Sequence, residues 1–156
     1  FAERGPRGRA ADGYPPSPMT VGIVGLGLIG GSVGLALRDP ERRVVGLDPN
    51  PEHERIAKLR FCVDETADLA TVAAADVVFV CVPPSAVAET LDRGRAAAGE
   101  ETVFTDVTSV KAGAVAWARA TKEPRFVPGH PMAGHEKGGP ALASAWLFRN
   151  ARWILT

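Results

Sequence analysis

The sequence predicts an α/β fold, in which helices cover both faces of a doubly wound, mostly parallel sheet. Two observations favour this fold class. After Met19, short apolar runs alternate with segments whose apolar residues recur at helical spacing. One run, residues 77–82, is apolar throughout, which is typical of a strand covered on both faces.

The predicted elements follow one another in the order expected of βαβ units. Apolar runs predict strands at residues 20–24, 43–47, 77–82, 102–107, 125–127 and 152–155. Helical spacing predicts helices at residues 29–37, 52–59, 85–97 and 110–120. The 156 residues are enough for one ordinary domain and too few for a dehydrogenase with a separate full-size substrate domain.

Composition and charge exclude several classes of protein. Eighteen basic residues balance eighteen acidic ones, so net charge does not favour nucleic acid or an anionic membrane as a partner. The 46% hydrophobic content is enough to fill a core and excludes wholesale disorder. Two cysteines, Cys62 and Cys81, form neither a disulfide framework nor a zinc cluster, and we expect no metal. These features predict a domain in a soluble, reducing compartment, which we expect to be the cytoplasm.

Two segments near the start of the chain need separate interpretation. Residues 1–18 contain four prolines, three glycines and five charged residues, which predicts a flexible tail ahead of a domain at residues 19–156. Residues 18–37 carry no charge over twenty positions, a length that can cross a bilayer. Their six glycines and their strand-then-helix pattern favour a buried strand, turn and helix instead.

A glycine-rich segment, GLGLIG, lies between the first predicted strand and the first predicted helix and matches the G-x-G-x-x-G pattern. Gly25 allows the tight turn, Gly27 lets a pyrophosphate approach the backbone, and Gly30 lets the helix pack closely on the strand. The N–H groups around Leu28 and Ile29, together with the helix dipole, favour bound phosphates. This context predicts a Rossmann-type dinucleotide site.

Asp48 follows the second predicted strand, eighteen residues after Gly30, where a carboxylate can bind both hydroxyls of the adenine ribose. Such a carboxylate repels a 2′-phosphate, so the sequence favours NAD over NADP. Arg42 and Arg43 lie nearby and weaken this preference. The alternative interpretation is that Asp48 only caps the turn formed by residues 48–51.

Polar residues and prolines also follow the later strands, at the edge where ligands bind in open parallel sheets. We expect Val82, Pro83 and Thr108 to contact the cofactor. His130 is the best catalytic candidate, because a neutral imidazole can accept a hydroxyl proton while a hydride leaves the carbon. The alternative is a histidine that is hydrogen-bonded to the backbone in a tight turn.

Ser109 has a hydroxyl that suits either the substrate or the imidazole. Alternatively, Thr108 or Ser109 is simply the N-cap of the next helix. Lys111 lies in the first turn of that helix and serves either the substrate or the structure. His53 lies in a helix rich in glutamate and arginine, which predicts a surface position.

Three segments together resemble the prephenate/arogenate dehydrogenases of tyrosine biosynthesis. They are VGIVGLGLIGGS at residues 21–32, DVTSVK at residues 106–111 and GHPMAGHEKGG at residues 129–139. The resemblance covers residues 19–156. It implies oxidation of the ring hydroxyl of prephenate or arogenate by hydride transfer to NAD⁺ or NADP⁺. Loss of CO₂ then gives 4-hydroxyphenylpyruvate or tyrosine.

The same resemblance implies roles for three residues. His130 would hold and deprotonate the ring hydroxyl, Ser109 would hydrogen-bond beside it, and Glu136 would lie near the side-chain end of the substrate. The family also has a helical C-terminal dimerisation domain, so a full-length member is expected to be a homodimer. This sequence ends at Thr156, before such a domain. We therefore expect an isolated nucleotide-binding domain that binds NAD but turns over poorly alone.

Two further interpretations remain open. One is another Rossmann dehydrogenase, of the β-hydroxyacid or imine reductase type. The other is a non-catalytic dinucleotide-binding module.

Overall fold

A computed structural model describes residues 19–156; the tail predicted at residues 1–18 lies outside them. The strands are β1 (Met19–Val24), β2 (Arg42–Leu47), β3 (Glu65–Thr66), β4 (Val77–Val80), β5 (Val103–Asp106), β6 (Phe126–Pro131) and β7 (Trp153–Leu155). The helices are α1 (Leu28–Ala36), α2 (Pro51–Leu59), α3 (Leu69–Ala73), α4 (Val87–Ala97) and α5 (Ala112–Thr121). Two short 3₁₀ turns, Pro84–Ala86 and Pro140–Leu142, complete the elements of this part of the chain.

The strands form one sheet in the order β3-β2-β1-β4-β5-β6-β7. All neighbouring strands are parallel except β7, which runs antiparallel to β6. The strand order reverses direction between β1 and β4, where the two halves of the sheet meet. Crevices at such a reversal are where ligands bind in doubly wound folds. The predicted α/β, Rossmann-type fold is therefore confirmed.

Each face of the sheet carries its own apolar core. On one face, α3, α4 and α5 cover β-strand residues such as Val78 and Phe104, with Trp117 packed edge-on against Phe126. On the other face, α1 and α2 cover Ile23 and other buried strand residues. Burial on both faces explains why the strands read as continuous apolar runs.

Residues 132–152, here called the crossover segment, connect the far edge of the sheet to the face covered by α1 and α2. The segment leaves β6, packs its 3₁₀ turn against α1 and α2, and returns as β7. Ala143 is buried there, and a Cβ on Gly31 would lie 2.9 Å from the Ala143 Cβ. The Ser144 N–H donates to Oγ of Ser32 at 2.9 Å.

Several predicted boundaries needed correction. The short elements β3 and α3 were not predicted, and β4 ends at Val80 rather than at residue 82. The strand predicted at residues 125–127 extends as β6 to Pro131, so His130 lies in a strand and not in a loop. The physical reason is β7, whose Ile154 pairs with His130. The uncharged segment at residues 18–37 is not a membrane span, since residues 19–36 contain β1 and α1. No helix within residues 19–156 has the length and apolar character to span a membrane.

Candidate cofactor and active site

A cavity of about 690 Å³ lies at the carboxyl ends of the central strands. Its walls come from the turn after β1, the turn after β2, the ends of β4 and β5, and the crossover segment. The lining residues include Gly25, Gly27, Leu28, Ile29, Asp48, His53, Cys81, Val82, Pro83, Thr108, Ser109, Ala133, Gly134 and His135. All of the residues predicted to contact the cofactor, apart from the buried Gly30, border this cavity.

The glycine turn has the shape that a pyrophosphate requires. Gly25 has a φ of 94°, and a Cβ on it would lie 2.4 Å from the Cys81 carbonyl oxygen. A Cβ on Gly30 would lie 1.9 Å from the carbonyl oxygen of Gly25, so helix and turn are in direct contact. A Cβ on Gly27, by contrast, would meet no atom of residues 19–156 within 4 Å. The turn is therefore tightly packed around Gly25 and Gly30 and open to the cavity at Gly27.

The amino end of α1 faces this open space. Its N-cap, Gly27, provides no side-chain hydrogen bond, and the first turn carries no acidic residue. Within residues 19–156, the N-cap therefore gives the leading N–H groups of the helix no side-chain hydrogen bond, and the helix dipole favours an anion there. These features fit the phosphates of a dinucleotide.

The carboxylate of Asp48 is held by two backbone N–H groups at the part of the cavity that the turn after β2 forms. Its Oδ2 accepts a hydrogen bond from the Leu26 N–H at 2.7 Å, and its Oδ1 accepts one from the Asn50 N–H at 2.9 Å. The turn-capping role considered for Asp48 is therefore present. It does not replace a ligand role, because the carboxylate also borders the cavity.

The surface position predicted for His53 is only partly correct, since its side chain is 34% exposed. It is half-buried in the first turn of α2, borders the cavity, and places Nδ1 3.4 Å from Oδ1 of Asp48. Asn50 caps this helix by accepting from the Glu52 N–H at 3.0 Å. The composition of α2 alone does not reveal which of its residues border the cavity.

Arg42 and Arg43 lie too far from Asp48 to act on the cofactor ribose. They begin β2, whereas Asp48 follows its last residue, and an extended strand rises about 3.3 Å per residue. Arg43 is paired with Glu65, and Arg42 donates to the Leu37 carbonyl at 3.4 Å. The expected weakening of the NAD preference by these arginines therefore has no structural basis.

A buried ionic cluster lies where β5 ends. Asp106 is fully buried, and its carboxylate accepts hydrogen bonds from Thr108, from the Gly129 N–H at 3.2 Å and from Nζ of Lys111 at 2.6 Å. Lys111 also donates to the Gly129 carbonyl. Of the two roles considered for Lys111, the structural one is therefore observed.

Thr108 and Ser109 differ in their surroundings. Thr108 is buried and donates its hydroxyl to Asp106, whereas Ser109 is exposed and borders the cavity. Neither is the N-cap of α5, because that position is taken by Lys111 without any side-chain cap. The capping interpretation is therefore wrong, and within residues 19–156 the Ser109 hydroxyl makes no hydrogen bond.

His130 reaches the same edge of the sheet from β6. It lies two residues beyond the Asp106–Pro128 pair of the β5–β6 ladder, which brings its backbone to the edge from which Thr108 and Ser109 emerge. The side chain is half-buried, and Nδ1 is buried without a hydrogen-bond partner among residues 19–156. His130 is not among the residues that line the cavity.

The crossover segment forms the remaining wall. Ala133, Gly134 and His135 border the cavity, and Nδ1 of His135 accepts from the Lys137 N–H at 3.2 Å. Glu136 is exposed and is not among the lining residues.

Cys81 borders the cavity but is not suited to be a nucleophile. Burial raises the pKa of its thiol, and the carboxylate of Asp106 raises it further. Burial also raises the pKa of the Cys62 thiol. Since the thiolate is the reactive form, both side chains are expected to be inert at neutral pH.

Alkylation tests this expectation. In the native chain at pH 8, iodoacetamide is expected to modify Cys81 and Cys62 at least about tenfold more slowly than free cysteine, because one pKa unit changes the thiolate fraction about tenfold. In the urea-unfolded chain, both cysteines should react at the rate of free cysteine. Rapid modification of Cys81 in the folded chain, followed by mass spectrometry, would contradict the assignment.

Asp106 and His53 were not singled out from the sequence as site residues. Asp106 ends a predicted strand and lies five residues before Lys111 in the DVTSVK segment, which is the only sequence signal that connects the two. No pattern in the sequence around His53 indicates that it borders the cavity.

Comparison with known proteins gives the same assignment as the geometry. Residues 33–156 match the family described as the nucleotide-binding domain of prephenate dehydrogenase. The prephenate dehydrogenase of Bacillus subtilis (strain 168) is 37% identical over 144 residues, covering 88% of this chain and 39% of that protein.

Solved structures agree in fold. The crystal structure of Synechocystis arogenate dehydrogenase matches with a TM-score of 0.81 and 34% identity, covering 88% of this chain and 50% of that one. A prephenate dehydrogenase structure from Aquifex aeolicus, in complex with hydroxyphenyl propionate and NAD⁺, matches with a TM-score of 0.82 and 32% identity, covering 90% and 51%. The chain thus spans about two-fifths of the Bacillus relative and about half of each solved chain. It belongs to the prephenate dehydrogenase family, whose nucleotide-binding domain it carries.

Proposed function

We propose that this chain binds NAD in the cavity and supplies His130 and Ser109 to the oxidative decarboxylation of prephenate, with arogenate as the alternative substrate. The observation that carries the proposal is the juxtaposition of three features at one sheet edge. They are the open glycine turn, the fixed carboxylate of Asp48, and the edge shared by Ser109 and His130.

The cofactor would be held from both sides of the crevice. The backbone of Gly27 and the leading N–H groups of α1 suit the pyrophosphate, and Asp48 suits the hydroxyls of the adenine ribose. Val82, Pro83 and Thr108 border the other end of the cavity, where the nicotinamide would lie. When bound, NAD⁺ supplies the hydride acceptor.

His130 would take up the proton of the ring hydroxyl. The neutral imidazole suits this role near cellular pH. Because its Nδ1 is buried and has no partner within residues 19–156, the other ring nitrogen, Nε2, is the one we assign to the substrate. The ring position is then set by the strand that carries it.

Ser109 and Glu136 would contact the substrate directly. The Ser109 hydroxyl is exposed to the cavity and uncommitted within the described part of the chain, so it can hydrogen-bond beside the reacting hydroxyl. Glu136 is exposed on the crossover segment, and we assign it to the side-chain end of the substrate.

The whole enzyme is a further part of the proposal. The relatives are about twice as long as the matched region or longer, and we propose that turnover and homodimer formation need the remaining part of such a protein. We also propose a cytoplasmic location, as expected for an NAD-linked biosynthetic enzyme. This chain alone should form little NADH with prephenate, and robust turnover by it would contradict this division of roles.

Titration calorimetry tests cofactor choice. We expect a roughly micromolar Kd for NAD and at least about tenfold weaker binding of NADP, because Asp48 repels a 2′-phosphate. Asp48→Asn should weaken NAD binding and reduce the difference in Kd between NAD and NADP. The reason is that an amide can still accept the hydrogen bond from the Leu26 N–H but carries no negative charge. Asp39→Asn, at an exposed position, is the matched control and should change neither value. No heat from either dinucleotide would refute the proposal.

A further inference from the structure

We propose that the buried Asp106–Lys111 pair is a positioning device that sets the backbone of Gly129 and thereby the orientation of His130. The inference rests on the proposed function of His130. It assigns a task to two residues that do not themselves contact the cofactor or the substrate.

The first support is where the β5–β6 ladder stops. Backbone pairing between the two strands ends at Asp106 and Pro128. Gly129 is the next residue, and on this side its two hydrogen-bonding groups are met by side chains. Its N–H donates to Oδ1 of Asp106 at 3.2 Å, and its carbonyl accepts from Nζ of Lys111. The ion pair thus continues the ladder by one residue.

The second support is that Gly129 has no side chain to limit its own backbone torsion angles. A Cβ at this position would lie 2.8 Å from Nε1 of Trp153 and 3.0 Å from the Asp106 carbonyl oxygen, so a side chain is excluded. Glycine is also the residue with the most conformational freedom. The Gly129 carbonyl that accepts from Lys111 belongs to the peptide group between Gly129 and His130, so the ion pair holds this peptide on the β5 side while Ile154 of β7 pairs with His130 on the other side.

The third support is the way the pair is buried. Asp106 is fully buried, the Lys111 side chain is 18% exposed, and their charged atoms lie 2.6 Å apart. Thr108 adds two hydrogen bonds to Oδ2 of the same carboxylate, from its N–H at 3.1 Å and from its hydroxyl. A satisfied, buried network of this kind rigidifies its surroundings. It links the strand before Ser109 to the strand that bears His130.

Steady-state kinetics of the complete protein tests the proposal. Lys111→Met is expected to lower kcat about 100-fold, the effect of a misplacement of roughly 1 Å, with the Kd for NAD unchanged within about twofold. Lys111→Arg keeps the charge and should recover at least about tenfold of that loss, because it can still reach a carbonyl and a carboxylate. Lys58→Met removes an exposed lysine from α2 and should leave kcat unchanged. A Lys111→Met enzyme with parental kcat would overturn the proposal.

Two measurements on the 156-residue chain need no substrate and separate this inference from the proposed activity. In NMR spectra, Lys111→Met should shift the ring resonances of His130, while Lys58→Met should not. In the unaltered chain, the Gly129 amide should exchange slowly with solvent. An unchanged imidazole in a folded Lys111→Met chain, or a rapidly exchanging Gly129 amide, would overturn the positioning role. If Lys111→Met does not fold, the isosteric Asp106→Asn and the Gly129 exchange rate decide. If the parent enzyme oxidises neither prephenate nor arogenate, the proposed activity fails on its own.

Discussion

His130→Asn is expected to lower kcat of the complete protein by about 10²- to 10⁴-fold, the range typical of a lost general base. The physical reason is that asparagine cannot accept the hydroxyl proton at neutral pH, although it retains hydrogen-bonding capacity. Binding of NAD should remain within about twofold of the parent, because His130 does not line the cofactor cavity. Stopped-flow or steady-state NADH formation gives kcat, and calorimetry gives the Kd.

His135→Asn is the matched control for this change. His135 lies five residues after His130, in the crossover segment, and is exposed. Its substitution should reduce kcat by less than about tenfold, because a residue that takes no part in proton transfer contributes only through the pocket wall. If His130→Asn turned over as fast as the parent, the imidazole would not be the base. In a non-catalytic dinucleotide-binding module, substitution of His130 would not affect function.

Gly27→Ala and Gly30→Ala should separate cofactor binding from folding. The Cβ of Gly27→Ala enters open space, so the free energy of unfolding should change by less than about 1 kcal/mol, as for a change at an uncrowded site. The same methyl group occupies the position of the approaching pyrophosphate, and we expect NAD affinity to fall by at least about tenfold, the equivalent of roughly 1.4 kcal/mol.

Gly30→Ala should instead damage the fold. Its Cβ would lie 1.9 Å from the Gly25 carbonyl oxygen, which forces α1 away from the turn and should reduce the free energy of unfolding by about 1–3 kcal/mol, as overpacking does. Urea denaturation followed by circular dichroism measures this loss. A Gly27→Ala chain that bound NAD normally would show that the phosphates lie elsewhere.

The central part of the fold was predictable because the signals are local. The strand β4 is apolar throughout and β1 and β2 contain short apolar runs, and a glycine turn between strand and helix has a specific physical meaning. The positions of Asp48 and Ser109 at the cavity follow from the rule that ligands bind at the carboxyl ends of parallel strands.

Other features depend on contacts between residues far apart in the chain. The strand conformation of His130 requires β7, more than twenty residues later, and no local pattern around His130 encodes that pairing. The composition of α2 does not show that His53 also borders the cavity, and the two residues of β3 carry too little periodicity to be distinguished from a turn. The Asp106–Lys111 pair was visible only as two charged residues in a motif, because burial is a property of the assembled sheet.

The crossover segment has a mechanical consequence. A single stretch of chain is anchored at one end to the strand that bears His130 and, through Ala143 and Ser144, to the helix that begins at the glycine turn. The two halves of the sheet are already joined by the pairing of β1 with β4. The crossover segment adds a second connection between them, on the face covered by α1, so the two halves should unfold together and not one at a time.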